Sequence, residues 1–199
     1  MSTGEGGMIT TDREDFNIRL RQLRQHSMSV NDLNRHRSAS IITEEYLELG
    51  FNYRMTDLQA AIGIAQLRRL PQMIQRRRKL AENYQKHLSN ISALSLFYEP
   101  PNAHWNYQTY VVRLKNANAS QRDALMQKLL DSGIVTRRGI MSIHREPSYL
   151  KKYGIQQFPH SERASDQCIC LPLYSQMSEA EQNYVIEQLK KALGRLDLS

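Results

Sequence analysis

Apolar residues recur at helical spacing through long stretches of the chain, and short β-branched or aromatic runs lie between them. Residues 4–11 predict a turn entering a short strand, because the glycines permit backbone conformations that other residues avoid. Asp12 then reads as an N-cap. Phe16, Ile18, Leu20 and Leu23 give an imperfect apolar stripe, which predicts a helix over residues 13–25. Residues 27–40 are polar and aperiodic and predict a long loop, which also carries Arg35, His36 and Arg37. Thr56 and Gln59 predict a capping box, and Asp57 suits the helix dipole. Leu58, Ala61, Ile62, Ala65 and Leu67 follow at helical spacing and predict a buried face. Pro71 predicts a kink or a restart, with a second helix over residues 72–88.

From Ile91 the texture changes. Residues 94–98 and 106–114 are strand-like, joined by the loop Pro100-Pro101-Asn102. Ser120 predicts the cap of a helix that ends at Gly133, with Leu125, Leu129 and Leu130 inward. Residues 134–135 and 140–143 are short strand candidates on either side of Thr136-Arg137-Arg138-Gly139. A helix over residues 161–168 and a strand over 169–173 follow. Ser178 and Glu181 predict a second capping box, opening a helix to Leu193 that Gly194 stops. Strands alternating with helices predict an α/β class. The division expected from this texture is 1–89 and 90–199.

Composition narrows the setting. The chain has 199 residues, 40 % hydrophobic and 24 % charged, which suits a soluble globular protein able to bury a core. No apolar run approaches the roughly 18–20 residues of a membrane span, so no membrane association is expected. The N-terminus has neither a basic nor an apolar signal region. Cys168 and Cys170 are too few for a disulfide framework, and a cytoplasmic, reduced setting is expected. The net charge is +7, with 27 basic against 20 acidic residues. The densest basic stretch holds Arg68, Arg69, Arg76, Arg77, Arg78 and Lys79 without an acid among them. A solvated helix face, or one that meets an acidic partner, is the plain reading. A nucleic-acid surface is the remote one, since no recognition motif or aromatic interleaving accompanies the charge.

Several short features could carry chemistry. Gly4-Glu5-Gly6-Gly7 is similar to a phosphate-binding nest, or is simply a turn. Asn52-Tyr53-Arg54-Met55 precedes a capped helix, where Asn and Arg could hold a phosphate or carboxylate, or serve only the loop. Arg137 and Arg138 could grip a diphosphate or carboxylate. His144 is either a site residue or a structural histidine. Cys168-Ile169-Cys170 lacks partners at metal-ligand spacing and reads as a core strand, so no metal site is expected.

These pieces occur in a telling order. Ser2-Thr-Gly-Glu-Gly-Gly-Met-Ile-Thr-Thr is followed by Leu49-Gly-Phe-Asn-Tyr-Arg-Met-Thr-Asp-Leu-Gln-Ala-Ala-Ile-Gly. Then come Asn106-Tyr-Gln-Thr-Tyr-Val-Val, Gly133-Ile-Val-Thr-Arg-Arg-Gly-Ile, His144 with Pro147 and Tyr149, and Leu171-Pro-Leu-Tyr. From Ser2 to about Leu193 the chain resembles the DegT/StrS-type sugar aminotransferases, which use pyridoxal phosphate.

The resemblance implies the C-terminal part of a fold-type I enzyme: a remnant of the large domain, long connecting helices and a small α/β domain. It also implies amino transfer, with glutamate as the donor, onto a nucleotide-linked keto sugar, usually by a homodimer. Asn52 matches a residue that reaches the cofactor phosphate of the other subunit, and Arg54 matches its neighbour there. Gly4, Glu5 and Gly6 match the turn that shapes the cofactor site. Arg137, Arg138 and His144 match positions near the substrate entrance. The family's Schiff-base lysine precedes the glycine turn and would fall just ahead of Met1. No lysine occurs in this chain before Lys79. The expectation is therefore a fragment without a catalytic residue, beginning at a methionine internal to its parent. Such a fragment would be inactive alone, would not hold pyridoxal phosphate alone, and would pair with itself or with a full-length relative. The alternative is a non-catalytic dimerisation or partner module, and the remote one is a basic nucleic-acid binder.

Overall fold

The computed structural model describes residues 2–30 and 32–195, without the side chains of Asp32, Leu33 and His36. Met1, and with it the expected internal start, lies outside the described residues. The chain divides into two compact units, Met1–Leu70 and Pro71–Ser199.

The first unit is built from helix and extended chain. Residues 6–11 form no strand, because among the described residues no neighbouring backbone supplies a ladder. Helix α1 (Glu14–Leu23) has Arg13, not Asp12, at its N-cap and no side-chain cap. The Arg13 guanidinium instead holds Asp15 at 2.6 Å and lies over the Phe16 ring at 3.8 Å. The expected apolar stripe of α1 buries no residue. The expected loop over 27–40 contains a short helix, α2 (Asp32–Arg37).

Helix α3 (Asp57–Leu88) opens with the predicted capping box. Gln59 N–H donates to Thr56 Oγ1 at 3.3 Å, and Thr56 N–H donates to Gln59 Oε1 at 3.0 Å. The helix does not restart at Pro71; it runs through it. Proline removes one ladder bond and crowds the preceding turn, and the turns on either side carry the helix past it. The predicted buried face is exposed: Leu58 is 80 % and Leu67 58 % accessible, and Ala61, Ile62 and Ala65 are also exposed. The periodicity is that of a burying helix, but burial needs a second surface, and among the described residues none covers this stripe.

The second unit is centred on a four-stranded sheet in the order β1-β2-β4-β3. Its strands are β1 (Leu94–Leu96), β2 (Tyr110–Leu114), β3 (Arg137–Arg138) and β4 (Cys168–Leu171). Every pairing is antiparallel. The register places Val112 opposite Ile169 and Tyr110 opposite Leu171. With Leu94 and Leu114 these join one core that includes Leu80, Tyr84 and Leu88 of α3. Helix α4 (Ala119–Asp131) adds Leu125 and Leu129, and α7 (Glu179–Leu193) adds Val185, Ile186 and Leu189. Mixed helix and sheet is the class the sequence predicts.

Local details differ. Asn118, not Ser120, caps α4 in a box with Gln121, and Leu130 is half exposed. Ser178 and Glu181 form the predicted box on α7, and Gly194 is its C-cap. Strands do not form at 134–135 or 140–143. The arginine pair between them forms β3, with Arg137 opposite Cys170 and Arg138 opposite Ile169. Pairing follows the available edge rather than intrinsic strand preference. Gly139 makes it possible: its N–H donates to Cys168 O at 2.7 Å, and any Cβ there would collide with the Cys168 Cβ. Helices α5 (Pro147–Tyr153) and α6 (Pro159–Gln167) both open on proline, and a short 3-10 turn, Ile143–Arg145, precedes α5.

Candidate functional site

In the first unit the glycine turn and the Asn52 segment are each fixed to a helix. Gly4 and Gly6 have positive φ, +88° and +145°. Glu5 O accepts from Thr3 Oγ1 and from Gln59 Nε2, both at 2.9 Å, which ties the turn to the first turn of α3. A Cβ on Gly6 would lie 3.0 Å from Thr3 Oγ1, so the turn is closely wound. The extended segment 51–53 is held to the end of α1: Phe51 N–H donates to Leu23 O (2.7 Å) and Tyr53 N–H to Arg24 O (2.9 Å). Asn52 pairs with Gln25 in an isolated antiparallel bridge. Phe51 and Tyr53 stack at 5.0 Å, as residues two apart on an extended chain can. Asn52 and Arg54 are exposed. Behind them His26 and Ser27 both adopt φ +56°, and Gly50 passes so close to their backbone that a Cβ would collide with it. This brace left no signal in the sequence beyond the glycine itself.

In the second unit Arg137 and Arg138 line a cleft of 660 Å³ together with Gln108, Thr109, Met141 and Cys170. Arg138 also faces Glu146 at 3.6 Å. His144 is set back from them. Its Nε2 lies 3.0 Å from Glu162 Oε1, and its ring meets Phe158 edge-on at 4.8 Å. Glu162 also accepts from Phe158 N–H (2.8 Å) and Arg145 (3.1 Å). The Phe158 N–H first, then His144 and Arg145, hold the Glu162 carboxyl below its usual range. His144 is thus a member of a packed polar cluster at the start of α6.

A second cleft of 330 Å³ adjoins the first and shares Thr109, Gly139 and Ile140 with it. Its walls include Phe97, Trp105, Tyr107 and Tyr110. Sequence reasoning gave these aromatics to strands and a loop. Glu99 organises them, accepting from Trp105 N–H (2.9 Å) and the Tyr107 hydroxyl (3.1 Å), with Arg78 at 3.3 Å. Cys168 and Cys170 are free thiols of β4, buried and half-buried. Burial raises both, against the pull of Arg113 on Cys168 and of Arg137 on Cys170.

The basic run is a solvated face only in part: Arg68, Arg69 and Lys79 are exposed, but the arginines between Gln75 and Lys79 are not. Arg76 donates to Met177 O at 2.6 Å. Arg77 donates to Tyr107 O (2.9 Å), Gln108 O (3.1 Å) and Leu173 O (3.2 Å). Arg76, Arg77 and Arg78 are half-buried, and their charge is spent on carbonyls and on Glu99. Among the described residues no helix is long and apolar enough to cross a membrane.

Known proteins share this arrangement. The aminotransferase TlmJ from Streptoalloteichus hindustanus is 30 % identical with a TM-score of 0.82, over 97 % of this chain and 49 % of that one. A sugar aminotransferase from Micromonospora echinospora is 23 % identical with a TM-score of 0.80, over 95 % of this chain and 48 % of that one. PseC from Helicobacter pylori, an aminotransferase involved in the biosynthesis of pseudoaminic acid, is 16 % identical with a TM-score of 0.82, over 94 % and 48 %. The chain spans about half the length of these proteins. The DegT/DnrJ/EryC1/StrS aminotransferase family, which depends on pyridoxal phosphate, matches residues 1–190. With that match over nearly the whole of its length, the chain belongs to that family.

Proposed function

We propose that the chain is part of a pyridoxal phosphate-dependent sugar aminotransferase that moves an amino group, with glutamate as donor, onto a nucleotide-linked keto sugar. The family membership supports the reaction class. The observation that carries it to this chain is the glycine turn fastened to α3 by Gln59 and Thr3, in the same unit as the braced Asn52–Arg54 segment.

The residues present fit one end of the cofactor. Backbone at positive φ and an exposed Asn-x-Arg segment suit a phosphate. Nothing in residues 2–70 suits the aldehyde, since no lysine occurs before Lys79. When bound, the cofactor supplies an electron sink for chemistry at the carbon next to nitrogen. The roles proposed for this chain are those of holding and orienting. Asn52 donates its amide to a phosphate oxygen across a dimer, and Arg54 adds charge there. Gly4, Glu5 and Gly6 give the floor its shape. Arg137 and Arg138 take the acidic part of the substrate. His144, kept in orientation by Glu162, has its proposed role near where the substrate enters.

A second reading, a module that completes a partner subunit's site, is favoured by the exposed stripe Leu58, Ile62 and Leu67 on α3. One experiment serves both. Glutamate-dependent amino transfer to a nucleotide-linked keto sugar is measured for this chain and for a full-length family member whose asparagine equivalent to Asn52 is changed to alanine. It is then measured for the two mixed. Turnover only in the mixture is the expected result, and Asn52→Ala in this chain should abolish it. A mixture that associates but stays silent would overturn the role given to Asn52.

A further inference from the structure

Gln25 and Asn52 face each other in an isolated antiparallel bridge of the first unit. The flanking bonds fix which kind of pair they are. His26 N–H donates to Phe51 O and Tyr53 N–H to Arg24 O, both at 2.9 Å. Both bonds belong to the neighbours, so residues 25 and 52 hold the non-hydrogen-bonded position. There the Cα atoms of a pair stand about 4.5 Å apart and the side chains leave the same face at their closest approach. The turn behind this pair is costly. His26 and Ser27 both adopt φ +56°, and Gly50 is pressed against their backbone. Strain of that kind persists where more than a connection depends on it. One polar atom beside Asn52 is also unmatched. Gln25 Nε2 is buried and, among the described residues, has no hydrogen-bond partner, although a buried donor left alone is expensive. Asn52 itself is exposed.

We infer that Gln25 is a positioning residue for Asn52: its Nε2 donates to Asn52 Oδ1 and so turns the Asn52 amide nitrogen outward. An asparagine amide has an accepting end and a donating end, and the two are interchanged by a flip. A phosphate oxygen needs the donating end. Gln25 Nε2 is only a donor, so it can hold only the oxygen of Asn52, and Nδ2 is left facing away from the bridge. Rotation of the exposed Asn52 side chain brings the two amides together without moving the backbone. The purpose given to the pair rests on the phosphate role proposed above for Asn52; the pairing itself rests on the bridge and the unmatched donor. Gln25 touches neither cofactor nor substrate and acts through Asn52.

The test has two arms. In the first, exchange of the Asn52 side-chain amide protons with water is followed by isotope-edited NMR in the 199-residue chain. In the parent they should exchange as those of an exposed amide do. Gln25→Glu should slow them severalfold, because a carboxylate only accepts and draws Nδ2 inward. Gln25→Leu should not slow them. Asn52 protons unmoved by Gln25→Glu would overturn the inference and mean that the Gln25 amide is spent elsewhere, as on Ser27 Oγ, which is also buried and unpartnered. In the second arm, affinity for pyridoxal phosphate is measured in the purified mixed complex with the full-length family member described above. Gln25→Leu should weaken it about three- to tenfold, as the loss of one hydrogen bond does, and should have no effect once Asn52 is alanine. An equal loss in both backgrounds would show Gln25 acting without Asn52 and would overturn the inference, as would no loss in either. Failure of the two chains to associate would instead remove the role given to Asn52 across the dimer, while the exchange measurement still decides the pair.

Discussion

Arg77 shows how far a charge can be from what its sequence context suggests. It sits in a run of basic residues with no acid nearby, yet it donates to three backbone carbonyls of its own unit. The carbonyls of residues 107, 108 and 173 have no ladder partner among regular strands, so a cation is a good substitute. Charge-assisted bonds of this kind each contribute about 1.5–3 kcal/mol. Arg77→Met should therefore cost about 2 kcal/mol or more and lower the urea midpoint with little change in slope. If the midpoint is unmoved, the three bonds contribute nothing. The residues that proved legible in sequence are those with local rules. Thr56 and Gln59 bond each other, as do Ser178 and Glu181, because a capping box spans one turn. Glu99 was not legible, since its partners depend on where the loop to Trp105 comes back.

At the scale of elements, helices were easier than strands. The helix α7 ends where its cap and glycine place it, whereas β3 formed on Arg137 and Arg138 rather than on the apolar pairs beside them. Two residues cannot declare a strand; the free edge of β4 and the missing side chain of Gly139 decided it. Helix α3 carried its periodicity openly, but periodicity does not say whether a face is covered, and the stripe from Leu58 to Leu67 is exposed. The start of α6 depends on charge. Glu162 reaches back to Phe158 N–H at the N-cap and takes His144 and Arg145 as well. Its folded pKa lies below the ordinary value, so its contribution is full above the unfolded glutamate pKa of about 4.3 and is lost as pH falls through the folded value. Glu162→Gln should lower Tm near pH 6, and the gap from the parent should close towards pH 3. A gap that stays constant across that range would mean that the charge of Glu162 is irrelevant to α6.

For the whole molecule, the two units differ in how they are held. Residues 71–199 share one apolar core, while α1 buries nothing and the stripe on α3 is bare. Stability should follow that division, with local opening far cheaper in the first unit. Limited proteolysis should cut first between His26 and Ser40, leaving a resistant piece that contains residues 106–193. Early cutting within 106–193 would show that the core does not protect its own unit. Self-association should likewise involve the first unit, where the uncovered leucines lie.

Cys170 stands opposite Arg137 and lines the arginine cleft, whereas Cys168, at the edge of the aromatic cleft, is only 4 % exposed. The two thiols therefore differ as clocks. An alkylating reagent would mark Cys170 long before Cys168, and its rate would depend on whether the cleft is open and whether the nearby guanidinium is free to favour the thiolate. The protein thus carries its own occupancy gauge: with one modifiable sulfur at the cleft, the speed of labelling reads out what the cleft contains.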